Sequence, residues 1–334
     1  MNSQNNQTRV AILRALHEIH HPAGAARIQQ QLRAMGINLQ PRTIRFYLLQ
    51  LDREGLTRPV SRRAGRELTE QGQQELAHAN IADKLRFVAS RIDSLVYRMT
   101  YDLSAGRGTI VGNLALIPKH YVQRALEEMR PVFARHLGMG TKLAVINEGE
   151  RFGSTTVPDG QVALGTVCSV TANGILLKHG IPVTSRFGGL MEIKDGKPSR
   201  FVALIDYNGT TLDPLEAFIR AGMTRVRDCA RTGNGIIGVS FREIPAAAVG
   251  DVRRIKKEIE RHGLDGILEI GTPNQPLFDV PVGEGRAGLL VSGGLNPIAA
   301  LYEARAEVDF HSLAEVEDIS RFADYTVLRN PFYQ

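Results

Sequence analysis

The stretch "VPDGQVALGTVCSVTANGI" (residues 157–175) recurs later in the chain as "VPVGEGRAGLLVSGGLNPI" (residues 280–298). The two stretches align without a gap and share seven identities in nineteen positions, far more than a chance alignment produces. Their separation of 123 residues is too long for a solenoid repeat, whose periods run to roughly 50 residues. We therefore predict an internally duplicated domain, with halves of about 99–222 and 233–334 related by a pseudo-two-fold axis.

Matching elements precede the two stretches in the same order. In each half the hydrophobic pattern predicts strand, helix and strand, and Pro118 and Pro245 mark the corresponding strand-to-helix transitions. The first half has "MTYDLSAGRGTIVGNLALIP", which includes a hairpin turn, then "HYVQRALEEMRPVFARHLG" and "KLAVINEG". The second half has "GIIGVSFREIP", "AVGDVRRIKKEIERHG" and "GILEIG". This alternation predicts a mixed α+β or α/β fold for residues 99–334.

Both copies contain the same kind of corner. A strand ends at Ser169 or Ser292, a turn of small residues follows, and a helix is predicted to begin at or just after Asn173 or Asn296. The free N–H groups at a helix N-terminus favour a carboxylate or phosphate. A turn needed only for packing is the alternative, but two corners facing each other favour an effector pocket.

Positive charge is concentrated near the N-terminus. Residues 1–75 contain eleven arginines, no lysine and six acidic residues, whereas the rest of the chain is nearly balanced. Three amphipathic helices are predicted there, followed by "LTRPVSRRAGRELTEQG", a basic strand-turn-strand hairpin. This order is typical of a winged helix-turn-helix. We predict that residues 1–76 bind double-stranded DNA, with a winged helix used for protein contacts as the alternative.

The third predicted helix, "PRTIRFYLLQLDREG", is the expected recognition helix. Its arginines can form bidentate hydrogen bonds with guanine, while the arginines of the hairpin hold phosphates. The residues predicted to form the DNA interface are Arg42, Thr43, Arg45, Phe46, Arg58, Arg62, Arg63 and Arg66.

Residues 77–98 form a predicted connector helix. Its apolar residues recur at spacings of four and three, which is a helical period. This stripe either packs on the second domain or contributes to a dimer interface, since winged helices usually read two half-sites. The stripe consists of Ile81, Leu85, Val88, Ile92 and Leu95.

The amino-acid composition narrows the possible locations of the protein and the kinds of site that it can contain. The 334 residues contain no apolar run long enough to span a membrane and only two cysteines, Cys168 and Cys229, so we expect a cytoplasmic protein without a disulfide framework or a cysteine zinc site. His17, His20 and His21 are expected to be a solvated helix end rather than a metal site. No cofactor is expected.

The segments "GTVCSVTANGILLKHGIPVTSRFGG", "GLLVSGGLNPIAALYEA" and "FVASRIDSLVYRMTYDL", together with the winged helix, resemble the NrpR family of archaeal nitrogen-regulatory repressors and their bacterial relatives. The resemblance covers essentially the whole chain. It implies a repressor with a winged helix and a regulatory domain, a dimeric or higher form on a palindromic operator, and induction by 2-oxoglutarate. Some archaeal members carry two regulatory domains in tandem, whereas this chain has room for one.

A pocket for a small dicarboxylate is compatible with the residues around the two corners. Lys178 could equally be a solvated residue near a helix end. The predicted effector-binding residues are Cys168, Ser169, Thr171, Asn173, Lys178, Arg186, Arg286, Ser292 and Asn296.

Two other function classes compete with a regulator. An enzyme would use Cys168 as a nucleophile, but Val291 replaces it in the second copy and His179 lies too far along the helix to act as its base. We therefore expect Cys168 to be a buried strand residue, or else to line the pocket. An RNA-binding protein is the third class, although no aromatic stacking platform accompanies the winged helix.

Overall fold

The computed structural model describes residues 3–61, 63–76 and 87–327, and the side chains from residue 8 onward. The chain divides into two compact units, Met1–Arg86 and Phe87–Gln334. The second unit begins inside the predicted connector, of which residues 77–86, with Ile81 and Leu85, lie outside the described residues.

The first unit is a winged helix-turn-helix, as the sequence predicts. Three helices enclose an apolar core in which Ile12, Ile28 and Leu48 have no exposed surface. Pro41 occupies the first turn of the third helix, where its missing N–H costs no hydrogen bond. The elements are α1 (Ser3–Ile19), α2 (Ala25–Ala34), α3 (Pro41–Arg53), β1 (Thr57–Ser61), β2 (Gly65–Leu68) and α4 (70–76).

The wing is held against the helices by its second strand. The backbone of Arg66 in β2 exchanges two hydrogen bonds of 2.9 and 3.0 Å with Ala23, which precedes α2. Gly65 permits this approach, because a Cβ at that position would lie 2.2 Å from the Ala23 carbonyl carbon and its φ is +92°. The hairpin therefore has a fixed place beside α2 and α3.

The second unit contains seven described helices and twelve described strands. Its helices are α5 (Val88–Arg98), α6 (Val122–Ala134), α7 (Val170–Lys178), α8 (Pro214–Arg220), α9 (Val226–Thr232), α10 (Val249–Arg261) and α11 (Asn296–Glu303). Its strands are β3 (Thr109–Pro118), β4 (Lys142–Ile146), β5 (Arg151–Phe152), β6 (Thr155–Thr156), β7 (Gln161–Val167), β8 (Thr184–Lys194), β9 (Lys197–Asp206), β10 (Gly235–Pro245), β11 (Ile267–Ile270), β12 (Arg286–Ser292), β13 (Asp309–Asp318) and β14 (Ala323–Asp324).

Two five-stranded sheets organise this unit, in the orders β11-β12-β10-β8-β9 and β13-β3-β7-β4-β14. Every described pairing is antiparallel. The mixed fold predicted from the alternation of strands and helices is therefore built without parallel strands.

The two halves exchange two strands each: β8 and β9 of the first half lie in the sheet of β10, and β13 and β14 of the second half lie in the sheet of β3. β8 follows α7 in the first half but pairs with β10 of the second half, while β13 follows α11 in the second half but pairs with β3 of the first. The order β11-β12-β10-β8 thus corresponds to β4-β7-β3-β13. The order of elements repeats, whereas duplication as its origin stays a prediction.

Helices cover the sheets on two sides. One apolar cluster joins both sheets to α6, α8, α9 and α11, and the other joins both sheets to α5, α7 and α10. Val88, Ile92 and Leu95 of α5 are buried in the second cluster. The described part of the predicted connector therefore packs on its own unit, and these residues are not available for a dimer contact.

Candidate DNA interface and effector site

The outer face of α3 is open to solvent. Ile44, Leu48 and Leu51 point into the core of the first unit, so the positions between them point outward. Within the described residues, neither arginine in the first turns of this helix has an ion-pair partner. The exposed predicted residues of the helix are Arg42, Thr43, Arg45 and Phe46.

The arginines of the wing differ in their surroundings. Arg63 is exposed, and Arg58 pairs with Glu67 across the hairpin at 2.7 Å while most of its side chain stays in solvent. Arg66 instead donates from Nε to Asp52 at the end of α3 at 2.8 Å, and only 23% of its side chain is exposed. The predicted phosphate contact of Arg66 is therefore replaced by a contact that fixes the wing to the recognition helix. Arg62 lies outside the described residues.

The polar side chains of the corner at residues 292–296 form hydrogen bonds with the protein's own backbone. Asn296 Nδ2 donates to the carbonyls of Leu137 and Gly238 at 2.6 and 2.9 Å, and its Oδ1 accepts from Gly238 N–H at 2.9 Å. Ser292 Oγ donates to the same Leu137 carbonyl at 2.6 Å. Both side chains are completely buried. The polar atoms of Ser292 and Asn296 already have partners in this structure, which favours a structural role, and effector binding by these two residues stays a prediction.

The two corners meet, as predicted, but they pack directly against each other. Thr166 Oγ1 donates to the Gly294 carbonyl at 2.8 Å. A Cβ at Gly294 would lie 2.1 Å from the Val167 carbonyl oxygen and 2.9 Å from Cys168 Cα. Only glycine allows this approach, so the contact between the corners leaves no room for a ligand at Gly294.

The polar side chains of the corner at residues 168–173 have fewer of their hydrogen-bonding atoms paired. Its helix, α7, begins at Val170, so Asn173 lies inside the helix rather than at its start, contrary to the prediction. Thr171 Oγ1 is engaged with the backbone of Val111 at 3.2 Å and is completely buried. Asn173 Nδ2 donates to Ser185 Oγ at 3.0 Å, whereas its buried Oδ1 has no partner among the described residues. Thr171 is therefore structural, and Asn173 retains a free acceptor.

Arg242 on β10 is the residue that sequence reasoning missed. Its side chain is 1% exposed and donates from Nη1 to the Ser169 carbonyl at 2.9 Å and from Nη2 to Ser169 Oγ at 3.0 Å. Its Nε has no partner, and no described carboxylate forms a salt bridge with it. Burial lowers the pKa of Arg242 to about 10, since the apolar surroundings disfavour the charged form. A charged residue inside the otherwise apolar strand "GIIGVSFREIP" is the signal that could have found it.

The two arginines predicted to clamp a dicarboxylate converge on a carboxylate of the protein. Arg186 Nη1 lies 2.6 Å from Glu243 Oε1, and Arg286 Nε lies 3.7 Å from Glu243 Oε2. Arg286 also donates to the Glu243 carbonyl at 3.0 Å. Glu243 is buried, so its charge requires these partners. The predicted effector role of Arg186 and Arg286 is therefore replaced by neutralisation of Glu243.

Lys178 does not join the predicted pocket. It is the last residue of α7 and is exposed, whereas Ser169 lies at the other end of that helix. A helix of this length separates its ends by about 12 Å. The structure therefore gives Lys178 the alternative role of a solvated residue at a helix end.

Cys168 is a buried residue beside this corner, with 6% exposure, and burial raises the pKa of its thiol to about 11. Burial also raises the pKa of Cys229 to about 11. We expect neither thiol to react with iodoacetamide at pH 8 in the folded protein, because only about 0.1% of such a thiol is ionised there. Intact-mass measurement should show no adduct in the native chain and two adducts in 6 M guanidinium. A single rapid native adduct that Cys168→Ser removes would instead support a nucleophilic cysteine.

Two further properties concern the described part of the chain. Within it, no helix is long and apolar enough to cross a membrane. Nor do three or more histidine, cysteine, aspartate or glutamate side chains gather there in a group that could hold a metal ion.

Comparisons with known proteins concern both units. Residues 85–324 match the family model for the NrpR regulatory domains NRD1 and 2, and residues 10–76 match the model for the ribonuclease R winged-helix domain. A crystal structure of a nitrogen repressor-like protein from Methanococcus jannaschii is similar with a TM-score of 0.62 and 26% identity, covering 72% of this chain and 99% of that one.

Three curated relatives are named as global nitrogen regulators. The global nitrogen regulator NrpRI of Methanosarcina mazei is 34% identical over 98% of this chain and 99% of its own length. The global nitrogen regulators NrpR of Methanococcus maripaludis and Methanocaldococcus jannaschii are 30% and 31% identical over 93% and 74% of this chain. Those matches cover 54% and 41% of the two relatives, so this chain corresponds to about half of each.

Proposed function

The chain belongs to the NrpR family, and from that premise we propose that it is a transcriptional regulator of nitrogen metabolism that binds DNA through its first unit. The observation that carries this proposal is the exposed face of α3. Arg42 and Arg45 occupy its first turns without partners among the described residues, as the N-terminal end of a recognition helix requires for contact with base edges. The exposed arginines of the wing supply phosphate contacts.

We propose further that the protein represses transcription and that a small anionic metabolite, 2-oxoglutarate, controls its affinity for the operator. The name of the similar solved structure, a nitrogen repressor-like protein, supports the sign of regulation. The buried and uncompensated charge of Arg242 in the second unit supports an anionic effector. No cofactor takes part in this proposal.

We propose that the regulator acts as a homodimer or higher oligomer on a palindromic operator in the cytoplasm. Two-fold symmetry is the usual means by which winged helices read two half-sites. Since Val88, Ile92 and Leu95 of α5 are buried in their own unit, these three residues do not supply the dimer contact. The repeated element order of the second unit supports duplication of one ancestral half.

An enzyme is less well supported than a regulator, because Cys168 is buried with a raised pKa and the relatives are named regulators. RNA binding has one observation in its favour, namely that the first unit matches a winged-helix domain described from a ribonuclease. RNA is therefore the second candidate ligand for this unit, and the test below includes it.

Selection from random DNA duplexes of about 30 base pairs tests the proposal. We expect the full chain to enrich a palindromic sequence and to bind it with an affinity that falls steeply with salt, because arginine contacts to phosphates release counterions. Addition of 5 mM 2-oxoglutarate should weaken this binding at least fivefold, whereas an equal concentration of sodium chloride should not.

Three outcomes separate the parts of this proposal. No enriched DNA sequence, together with tight binding of an RNA hairpin, would replace DNA by RNA as the ligand. Enrichment without any response to 2-oxoglutarate would leave a DNA-binding regulator but remove this effector. Stronger operator binding with 2-oxoglutarate would reverse the proposed sign of its control.

A further inference from the structure

The centre of the outer face of α3 is apolar. Spacings of four, three and four residues place one stripe along this helix, on the face opposite its buried side chains, and the stripe consists of Arg42, Phe46, Leu49 and Arg53. Phe46 is 58% exposed and Leu49 is 52% exposed. The outer face therefore presents two neighbouring large apolar side chains to solvent, with an arginine at each end of the pair. Such a pair at the middle of an exposed helix face calls for a partner.

The ring of Phe46 has a defined position on this face. It lies edge-on to the ring of Tyr47, with 5.6 Å between the ring centroids and 78° between the ring planes. Tyr47 in turn packs against the apolar core of the first unit. A side chain that is already ordered loses little conformational freedom when a ligand covers it. The apolar pair is thus a preformed contact surface.

The surroundings of the apolar pair are positively charged. Arg42 and Arg53 flank it along the stripe, and Arg45 is exposed beside it. The two carboxylates at the end of α3, those of Asp52 and Glu54, already form ion pairs with arginines of β2 and α1. Complementarity therefore requires an occupant that combines apolar groups with negative charges on either side of them.

The major groove of DNA offers this combination. The C5 methyl group of thymine is an apolar group on a base edge in that groove, and phosphates line the groove on both sides. Uracil, the corresponding base of RNA, lacks this methyl group. The major groove of an RNA duplex is also too deep and narrow for side chains to read. The outer face of α3 thus fits DNA that contains thymine better than it fits duplex RNA.

We propose that Phe46 and Leu49 contact thymine methyl groups in the major groove and so determine where the operator has A·T pairs. This inference rests on the proposed binding of DNA by α3 and adds a second kind of base contact to it. Arg42 and Arg45 form hydrogen bonds with guanine, whereas the apolar pair removes methyl groups from water. Different residues of one helix then recognise G·C and A·T pairs.

Replacement of thymine by uracil tests the proposal, because it removes the methyl group and keeps the base-pairing hydrogen bonds. The operator obtained by selection is prepared in two forms, one with thymine and one with uracil at every thymine position of both strands. Each form is titrated with the full chain at the same salt concentration. We expect the uracil operator to bind at least fourfold less tightly, since burial of one methyl group contributes about fourfold in affinity.

Variants of the stripe assign this difference to its residues. Phe46→Ala/Leu49→Ala should bind the two operators within about 1.5-fold of each other, because the methyl groups have lost their contacts. Arg53→Ala is the matched control from the same stripe and should keep the wild-type ratio between the two operators, since its expected contact is a phosphate. All these variants should unfold at the wild-type temperature, because none of the three side chains is buried.

The other outcomes overturn the proposal in different ways. Equal binding of both operators by wild type, or a selected half-site without an A·T pair, would overturn it and leave a protein as the partner of the apolar pair. A ratio that survives in the double variant would mean that the methyl groups act through the shape of the DNA, which would overturn the roles of Phe46 and Leu49. If the double variant does not fold, an unchanged ratio in both single variants overturns the same roles.

These failures are distinct from a failure of the proposed function. In each of them the chain still binds a selected DNA sequence, so the DNA-binding regulator stands and only the thymine contact is lost. Selection that enriches no DNA sequence would overturn both the regulator and the thymine contact.

Discussion

The double substitution Arg42→Ala/Arg45→Ala is expected to abolish specific operator binding. Each arginine lies in the first turns of α3 with its side chain exposed and can form two hydrogen bonds to a guanine. Such a pair contributes about 1–3 kcal/mol of discrimination, or about 5- to 150-fold in affinity for each arginine. The loss should be measured by titrating the selected operator at fixed salt, and nonspecific DNA should bind only slightly less well.

A matched control is available on the same helix. Arg53 ends α3 and is exposed, but it lies at the end away from the predicted base contacts. Arg53→Ala should therefore change operator affinity by less than about fivefold and should lower affinity for all sequences alike. Thermal unfolding of the first unit should be unchanged in all these variants, since none of the three side chains lies in its core. Normal footprints from the double variant would remove the assignment of α3 as the recognition helix.

The second large effect is expected from Asn296→Ala, which should destabilise the second unit by about 2–4 kcal/mol. The substitution leaves the Gly238 N–H buried without its partner, which costs about 1–3 kcal/mol. It also removes one donor from the Gly238 carbonyl, which keeps the N–H of Gly293 at 2.8 Å, and this lost hydrogen bond costs about 1 kcal/mol more. Denaturant titration followed by circular dichroism should show an earlier transition for this unit.

Asn173→Ala is the matched control for that substitution. Asn173 occupies the corresponding position in the first half, but it makes one hydrogen bond, to Ser185, and its Oδ1 has no partner. Its removal should cost about 1 kcal/mol. Equal destabilisation by the two substitutions would contradict the different roles that we assign to the two asparagines.

The sequence repeat located both corners and predicted that they meet, because an alignment of small residues reports on a shared local structure. It could not distinguish their roles. Asn173 and Asn296 align, but whether each amide finds partners depends on β8 and β10, which lie elsewhere in the chain. The prediction treated both corners as ligand sites, whereas the hydrogen bonds of Asn296 favour a structural role for the second corner.

Sequence patterns also did not reveal which strands pair with each other. The sequence analysis predicted the strands that precede each corner but not β8 or β13, and a hydrophobic pattern carries no information on which half supplies the neighbours of a strand. The same lack of tertiary information explains why Lys178 was predicted to join the pocket. It is close to Ser169 in sequence, but the two residues lie at opposite ends of α7. Arg186 and Arg286 were expected to converge on a carboxylate, and the carboxylate is that of Glu243.

The exchanged strands also affect how the protein folds during its synthesis. β13 pairs with β3, about 200 residues earlier in the chain, so the sheet around β3 is incomplete until residue 318 has left the ribosome. At 5–20 residues per second, that delay is about 10–40 s. The winged helix, complete at residue 76, can fold within this interval. During synthesis, therefore, each nascent chain has a DNA-binding unit before it has a finished regulatory unit, and a product truncated before residue 309 never acquires one.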